Sequence, residues 1–226
     1  MTNKYTSFNH TPYEAHMMVF ERIKPNSKIL DLGCASGYFA KELLKKNCRV
    51  WGMDADKEAV QEAKKYCVEV KVADLDELSP ERNPFGHLPG VKFDYILLLD
   101  VLEHLKNPEK LLKLLKKYLK KDGEIIVSVP NIAFISLRLS HMAGKFDYQK
   151  TGIMDESHLH FYTKKTLIDL ITKCGLKIID FDAASGFSQI TLIGKYFNSV
   201  PKYWQYRITK LFPALLGYQF IIVCTI

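Results

Sequence analysis

The chain has 226 residues, 47% of them hydrophobic and 25% charged, an average globular composition that excludes extended disorder and collagen-like or repeat architectures. Its length suffices for one to two domains whose core needs neither disulfides nor a metal as a staple. Thirty-two lysines and arginines against 25 acidic residues leave a charge of +7, which suits nucleic acid, a phosphorylated small molecule or a membrane surface as partner. Apolar runs of strand length alternate with helical patterns, as in a parallel sheet covered on both faces. The chain reads as a strand over 28–32, a helix over 38–46, a strand over 49–53, a helix over 57–66 and a strand over 68–72. A Pro- and Gly-rich loop over 79–90 leads to a strand over 93–99, apolar enough to be buried on both faces. The helix over 108–119 sets five leucines against Lys113, Lys116, Lys117 and Lys120, a row that reads as a solvated outer face rather than a nucleic-acid stripe. A strand over 124–129 stopped by Pro130, a helix over 163–174 closed by Gly175, and strands over 177–182 and 218–225 complete the pattern.

Two segments break the alternation. Residues 131–162 are long for a connection and read as a lid over a binding site. Residues 190–217, rich in aromatic and basic residues, separate two strands otherwise expected to form a hairpin. In this insertion Lys195, Lys202, Arg207 and Lys210 interleave with Tyr196, Phe197, Tyr203, Trp204 and Phe212, which suits an interfacial helix, a cap on the substrate side or a dimer contact. The five cysteines, Cys34, Cys48, Cys67, Cys174 and Cys224, contain no C-x-x-C pair and are odd in number; buried reduced thiols in a cytoplasm fit them best. No secretory leader or membrane-spanning run is apparent.

The chemistry concentrates at strand ends. Asp31-Leu32-Gly33-Cys34-Ala35-Ser36-Gly37 is a glycine-bearing turn from strand to helix, where backbone can approach a ligand closely. It lacks the full G-x-G-x-x-G pattern and any phosphate-binding lysine motif. Asp54 ends the second strand, where a carboxylate can accept from both hydroxyls of a ribose, and Asp74 ends the third, suited to an adenine amino group. The fourth strand opens with Phe93-Asp94-Tyr95 and is followed by Asp100-Val101-Leu102-Glu103-His104. These ends share the carboxyl edge of the sheet, where open α/β folds bind ligands.

With these residues in place, the chain resembles class I S-adenosylmethionine-dependent methyltransferases over about 27–175, with the closing strands beyond. It is most similar to the branch of ubiquinone-biosynthesis and surface-polysaccharide sugar methyltransferases, through residues 93–105 and through Asp155-Glu156-Ser157-His158-Leu159-His160-Phe161-Tyr162-Thr163. The resemblance implies a Rossmann-like α/β fold: a seven-stranded, mostly parallel sheet with helices on both faces and an antiparallel last strand. It implies one methyltransferase domain over 1–226, with 1–26 as an N-terminal cap. Asp31, Gly33, Ala35 and Gly37 would frame the methionine part of S-adenosyl-L-methionine, Asp54 the ribose, and Asp74 with Leu75 the adenine. Asp100 would lie near the methionine or the substrate mouth. Ala35 departs from the family, many of whose members have glycine there.

A hydroxyl acceptor must lose its proton during methyl transfer, and histidine is the usual base near neutral pH. His104 follows the fourth strand beside Glu103 and reads equally as a base or as a histidine holding backbone at a helix start. His158 and His160 would face the same way in extended chain, and His158 is the better candidate. A metal site built from these three histidines and Asp155 is conceivable, but the reading adopted has no metal. His10, His16, His87 and His141 read as surface or packing residues. The lid residues Arg138, Lys145, Phe146, Tyr148 and Lys150 suit a sugar nucleotide, a phosphorylated lipid intermediate or an acidic ring, or simply a solvated lid. The expected function is therefore O-methylation of a small molecule by a monomer or homodimer, its acceptor anionic or lipid-linked, with peripheral membrane contact open. The alternatives are an RNA or protein methyltransferase, or a non-catalytic cofactor-binding or membrane-associated protein. Nucleic acid is not favoured: the base-methylating Asn-Pro-Pro-aromatic motif is absent, Pro130-Asn131 being reversed and incomplete, and no appended RNA-binding module is visible.

Overall fold

Successive side chains of a strand point to opposite faces, so a strand covered on both sides must be apolar at nearly every position. The computed structural model, which describes residues 7–79, 91–190, 194–197 and 199–226, realises this pattern. Helix α1 (Ala15–Arg22) precedes β1 (Lys28–Leu32), α2 (Tyr38–Leu43), β2 (Arg49–Asp54), α3 (Lys57–Ala63) and β3 (Glu69–Val72). Then come β4 (Phe93–Leu99), α4 (Pro108–Leu115), β5 (Leu119–Pro130), α5 (Ile135–Met142), α6 (Lys164–Lys173) and β6 (Lys177–Ser185). The chain closes with α7 (Gly194–Phe197), α8 (Lys202–Leu211), α9 (Pro213–Leu216) and β7 (Gly217–Thr225). The expected loop over 79–90 lies, beyond Ser79, outside the described residues.

The seven strands form one sheet, as the resemblance implied, and their order is β3-β2-β1-β4-β5-β7-β6. Only β7 is antiparallel, to β5 on one side and β6 on the other. Alternation divides the core. Leu30, Leu32, Ile96, Leu98, Ile125 and Val127 pack with Leu111, Leu112 and Leu115 of α4 and Leu167 and Ile171 of α6. Ile29, Leu97 and Ile126 face the other way, against Val19 of α1 and Phe39 and Leu43 of α2. The helix starts carry their own signals. Asp56 Oδ1 accepts from the Glu58 and Ala59 amides at α3, Asn107 caps α4 ahead of Pro108, and Thr163 and Thr166 form a reciprocal capping box on α6.

The boundaries differ where turns tighten. The helix expected over 57–66 ends at Ala63, whose carbonyl accepts from both the Tyr66 and Cys67 amides. The helix expected over 108–119 ends at Leu115 in a 3-10 turn over Lys116–Tyr118. Leu119 then pairs with Phe93, so β5 begins well before Glu124, and Pro130 is its last residue, opposite Gln219. Among the described residues, two of the four lysines of the outer row are paired with carboxylates. Lys113 pairs with Glu109 at 2.5 Å and Lys120 with Asp94 at 2.7 Å, while Lys116 donates to the Cys174 and Gly175 carbonyls. All five cysteines are free, four of them buried.

Candidate active site

Beyond β1 the chain turns through Gly33 (φ 77°), Ala35 (φ 45°) and Gly37 (φ 75°) into α2. The Gly33 and Cys34 amides donate to the Met53 carbonyl at 2.8 and 3.0 Å, and the Ala35 amide donates to Asp54 Oδ2 at 2.8 Å. Asp54 Oδ1 accepts from the Asp56 amide, so one carboxylate fixes both the turn after β1 and the turn after β2. A Cβ on Gly33 would stand 2.6 Å from Val101 Cγ2, which keeps the turn open against the segment after β4. A Cβ on Gly37 would instead meet Ala63 Cα at 2.9 Å; this glycine lets α2 sit on α3.

Gly33, Ala35, Asp54, Asp74, Leu75 and Asp100, with His104, line a cavity of about 330 Å³ at the carboxyl edge of the sheet. Asp31 and Gly37, grouped with them by sequence, are not in its wall. Asp31 is buried behind it, and its Oδ2 has no hydrogen-bond partner. Burial, then the charge of Asp54, pushes its carboxyl up to about 7. Tyr38, Asp76 and Val101 are among the wall residues that were unforeseen. Asp74 accepts from the Asp76 amide, and Asp76 accepts from the Lys106 and Asn107 amides, holding the turn after β3 against the start of α4. Such a cavity favours a ligand that is cationic and rich in hydroxyl donors.

A second cavity of about 180 Å³ adjoins the first, and Asp100 belongs to the walls of both. Its other walls are Glu103, Thr151 to Ile153 and His158 from the lid, and Tyr218 and Gln219 from β7. Asp100 has a left-handed backbone (φ 55°) and accepts from Gln219 Nε2 at 2.5 Å. Burial drives its carboxyl up, opposed by that hydrogen bond. Glu103 is buried with neither carboxylate oxygen partnered, and burial, reinforced by Asp100, raises it well above the usual carboxylate range.

The lid is stapled to the turn after β4 through backbone. The Glu103 carbonyl accepts from the Leu159 and His160 amides at 2.8 and 3.0 Å. His158 is buried, its ring 4.8 Å from that of His104. Its Nδ1 lies 3.0 Å from the Ile153 carbonyl, which can only accept, so Nδ1 carries a proton. His104 Nδ1 is likewise engaged, by the Ser157 carbonyl at 3.2 Å. His158 and His160 do not share a direction: a turn closed by the His158 amide on the Asp155 carbonyl replaces the extended chain assumed for them. His160 stands instead beside Tyr162, and Asp155 Oδ1 accepts from Ser157 Oγ and amide. The grouping of three histidines with Asp155 therefore does not form. Glu103, His104 and His158 converge in its place, with ligand atoms within 4.8 Å of one another.

Sequence reasoning passed over Glu103 as a neighbour and missed Tyr218 and Gln219. A carboxylate inside the leucine-rich stretch after β4 was a readable signal for the first. Nothing local marks the other two, which antiparallel pairing of β7 brings to the site. The lid cations are not among the lining residues of either cavity: Arg138 Nε donates to the Ala133 carbonyl, and Lys145 and Lys150 are exposed.

Residues 9–180 match the family model described as methyltransferase domain. The chain is 25% identical over 186 residues to the ubiquinone biosynthesis O-methyltransferase of Pelagibacter ubique, covering 80% of this chain and 69% of that one. It is 24% identical over 215 residues to the (S)-coclaurine N-methyltransferase of Papaver somniferum, covering 91% of this chain and 57% of that one. Among solved structures it is similar in fold to an S-adenosylmethionine-dependent methyltransferase of Archaeoglobus fulgidus, with TM-score 0.63 and 18% identity over 92% of this chain and 90% of that one.

Proposed function

Since this chain belongs to the methyltransferase domain family, we propose that it is an S-adenosylmethionine-dependent O-methyltransferase acting on a hydroxyl of a small molecule such as a sugar, sugar nucleotide or quinone-like precursor. The observation that carries this reading is the pair of cavities sharing the wall of Asp100, with the His158 ring facing the second. The first cavity fits the donor. The run of carboxylates in its wall, with the unpartnered Oδ2 of Asp31 behind it, suits a ligand with two positive charges and a ribose. In this reading Gly33 and Ala35 take the methionine portion, the Asp31 carboxyl acts on it from behind the wall, and Gly37 supports their turn. Asp54 takes the ribose, Asp74 and Leu75 the adenine, and Asp100 the junction with the acceptor.

When bound, the donor supplies a methyl group on a positively charged sulfur, already activated for attack. What remains for the protein is to align the acceptor oxygen, exclude water and receive a proton. His158 Nε2 takes that proton, because Nδ1–H is committed to the Ile153 carbonyl. Glu103 lines the same cavity within reach of His158, and burial raises its carboxyl well above the usual carboxylate range. His104, on the wall of the first cavity, positions His158 by ring contact.

The test pairs calorimetry with turnover. His158→Ala is expected to bind S-adenosylhomocysteine as the wild type does, while its release from S-adenosylmethionine with a panel of catechols and sugar nucleotides falls by about 10²–10⁴-fold, the usual worth of a general base. Full turnover in that variant removes His158 as base. Turnover on amines alone overturns the oxygen acceptor, and activity abolished by chelator and restored by a divalent cation replaces the base with a metal site.

A further inference from the structure

Helix α8 is amphipathic in the wrong sense for a helix on a soluble domain. Its residues turned to the protein are polar: Gln205 is 2% exposed and Thr209 0%. Within the helix and its lead-in, Gln205 Nε2 donates to the Val200 carbonyl at 2.7 Å and Thr209 Oγ1 to the Gln205 carbonyl at 2.9 Å. The apolar residues face water instead. Trp204 is 58% exposed, Leu211 74% and Phe212, just beyond the helix, 57%, with Tyr203 and Ile208 exposed beside them. Trp204, Ile208 and Leu211 recur at helical spacing and so form one outward stripe. Burial of an apolar stripe is what normally holds a surface helix in place, and an exposed one marks an interaction site.

The charge around this stripe has one sign. From Ala183 to Ile226 the sequence has no Asp or Glu and four cations, Lys195, Lys202, Arg207 and Lys210. Arg207 and Lys210 are exposed on α8 and have no ion-pair partner among the described residues, while Lys202 reaches only Glu14, at 3.9 Å. The helix is nevertheless firmly seated. Tyr206 donates to Asp182 Oδ2 of β6 at 2.5 Å, and its ring stacks on Tyr13 at 4.7 Å. The outward stripe is therefore presented by a fixed element and not by a loose end.

We propose that α8, with Leu211 and Phe212, docks the protein on the surface of a bilayer containing anionic phospholipid. An aromatic and aliphatic stripe flanked by Arg and Lys matches the boundary between acyl chains and anionic headgroups. Two other occupants fit less well. A second copy packed through the same face about a twofold axis would set its cations against their own equivalents. Nucleic acid would leave Ile208 and Leu211 without a counterpart. No helix among the described residues is long and apolar enough to cross a membrane, so the contact is with the surface.

The experiment uses the full chain and sedimentation with vesicles of phosphatidylcholine alone or mixed with phosphatidylglycerol. Binding to the mixed vesicles, weakened by salt, is expected, with a blue shift of Trp204 emission. The triple variant Trp204→Ser, Leu211→Ser, Phe212→Ser changes only exposed side chains. It is expected to keep the wild-type melting temperature and bind at least tenfold more weakly, and Arg207→Glu with Lys210→Glu should do the same. No sedimentation of the wild type, or equal binding by the triple variant, overturns the proposal. So does a dimer that the triple variant dissociates in ultracentrifugation, or tighter binding to an RNA oligonucleotide than to the vesicles.

Discussion

Ala35 shows how a residue's place in a turn can be legible while its conformation is not. Its place in the turn was legible from the two flanking glycines, but its left-handed backbone was not, because that follows from the Ala35 amide reaching Asp54 on a neighbouring strand. Left-handed backbone costs a non-glycine residue roughly 1 kcal/mol or more. Ala35→Gly is therefore expected to stabilise the protein by about 1 kcal/mol in urea unfolding, less the glycine's larger unfolded-state entropy, with Asp54 still hydrogen-bonded to the turn. An unchanged or lower midpoint would mean that the alanine methyl makes up the difference by packing. Gly33, Asp54, Asp74 and Asp100 were legible for a simpler reason: each stands at the last residue of a strand or within two positions beyond it, and parallel strands gather such positions at one edge. Gln219 was illegible because its partner, Asp100, is distant in sequence and met only through β5 and β7.

At the scale of elements, the strands and helices followed from alternation, capping residues and proline, all local signals. The two irregular segments did not, because their structure depends on each other. Asn131, part of a dipeptide with no recognisable function in the sequence, joins them. It is fully buried; its Nδ2 donates to the Gly217 carbonyl at 2.7 Å and the Ala214 carbonyl at 3.2 Å, and its Oδ1 accepts from the Ala133 amide. The first residue of the lid thus holds the end of the insertion against β7, beside Tyr218 and Gln219 of the second cavity. Removing the side chain leaves buried backbone groups without partners, at about 1–3 kcal/mol for each that water cannot reach. Asn131→Ala is expected to lose roughly 2–4 kcal/mol in urea unfolding. Asn131→Asp, which keeps the acceptor for Ala133 but has no donor for the two carbonyls, should lose at least as much above pH 6. A loss under 1 kcal/mol in both would show that the lid and insertion hold each other by other contacts.

Over the whole molecule the charge excess has resolved into separate parts. Lys113 and Lys120, on and beside α4, are paired locally with carboxylates, and the cations after β6 mark the proposed lipid-facing surface. The buried carboxylates at the carboxyl edge carry the third part, and they set how stability depends on pH. Asp31 is raised to about 7, from about 4 in the unfolded chain, and Asp100 and Glu103 are also raised by burial. Below pH 4 both states are protonated at Asp31 and the group contributes no difference. As pH rises from there to about 7 the unfolded chain has released a proton that the folded chain retains, so stability falls. The ligand-free protein is therefore expected to be more stable near pH 5 than near pH 8, in the window where acid denaturation through other groups has not begun. A shift of one unit corresponds to 1.36 kcal/mol, which makes the decline attributable to Asp31 on the order of 2–4 kcal/mol. Asp31→Asn should abolish that part of the decline and gain stability at pH 8 but not at pH 5, while weakening the binding of S-adenosylhomocysteine. Urea midpoints of both proteins across this range decide the matter: parallel curves would mean that Asp31 is ionised in the folded protein and has a partner in solution that its burial conceals.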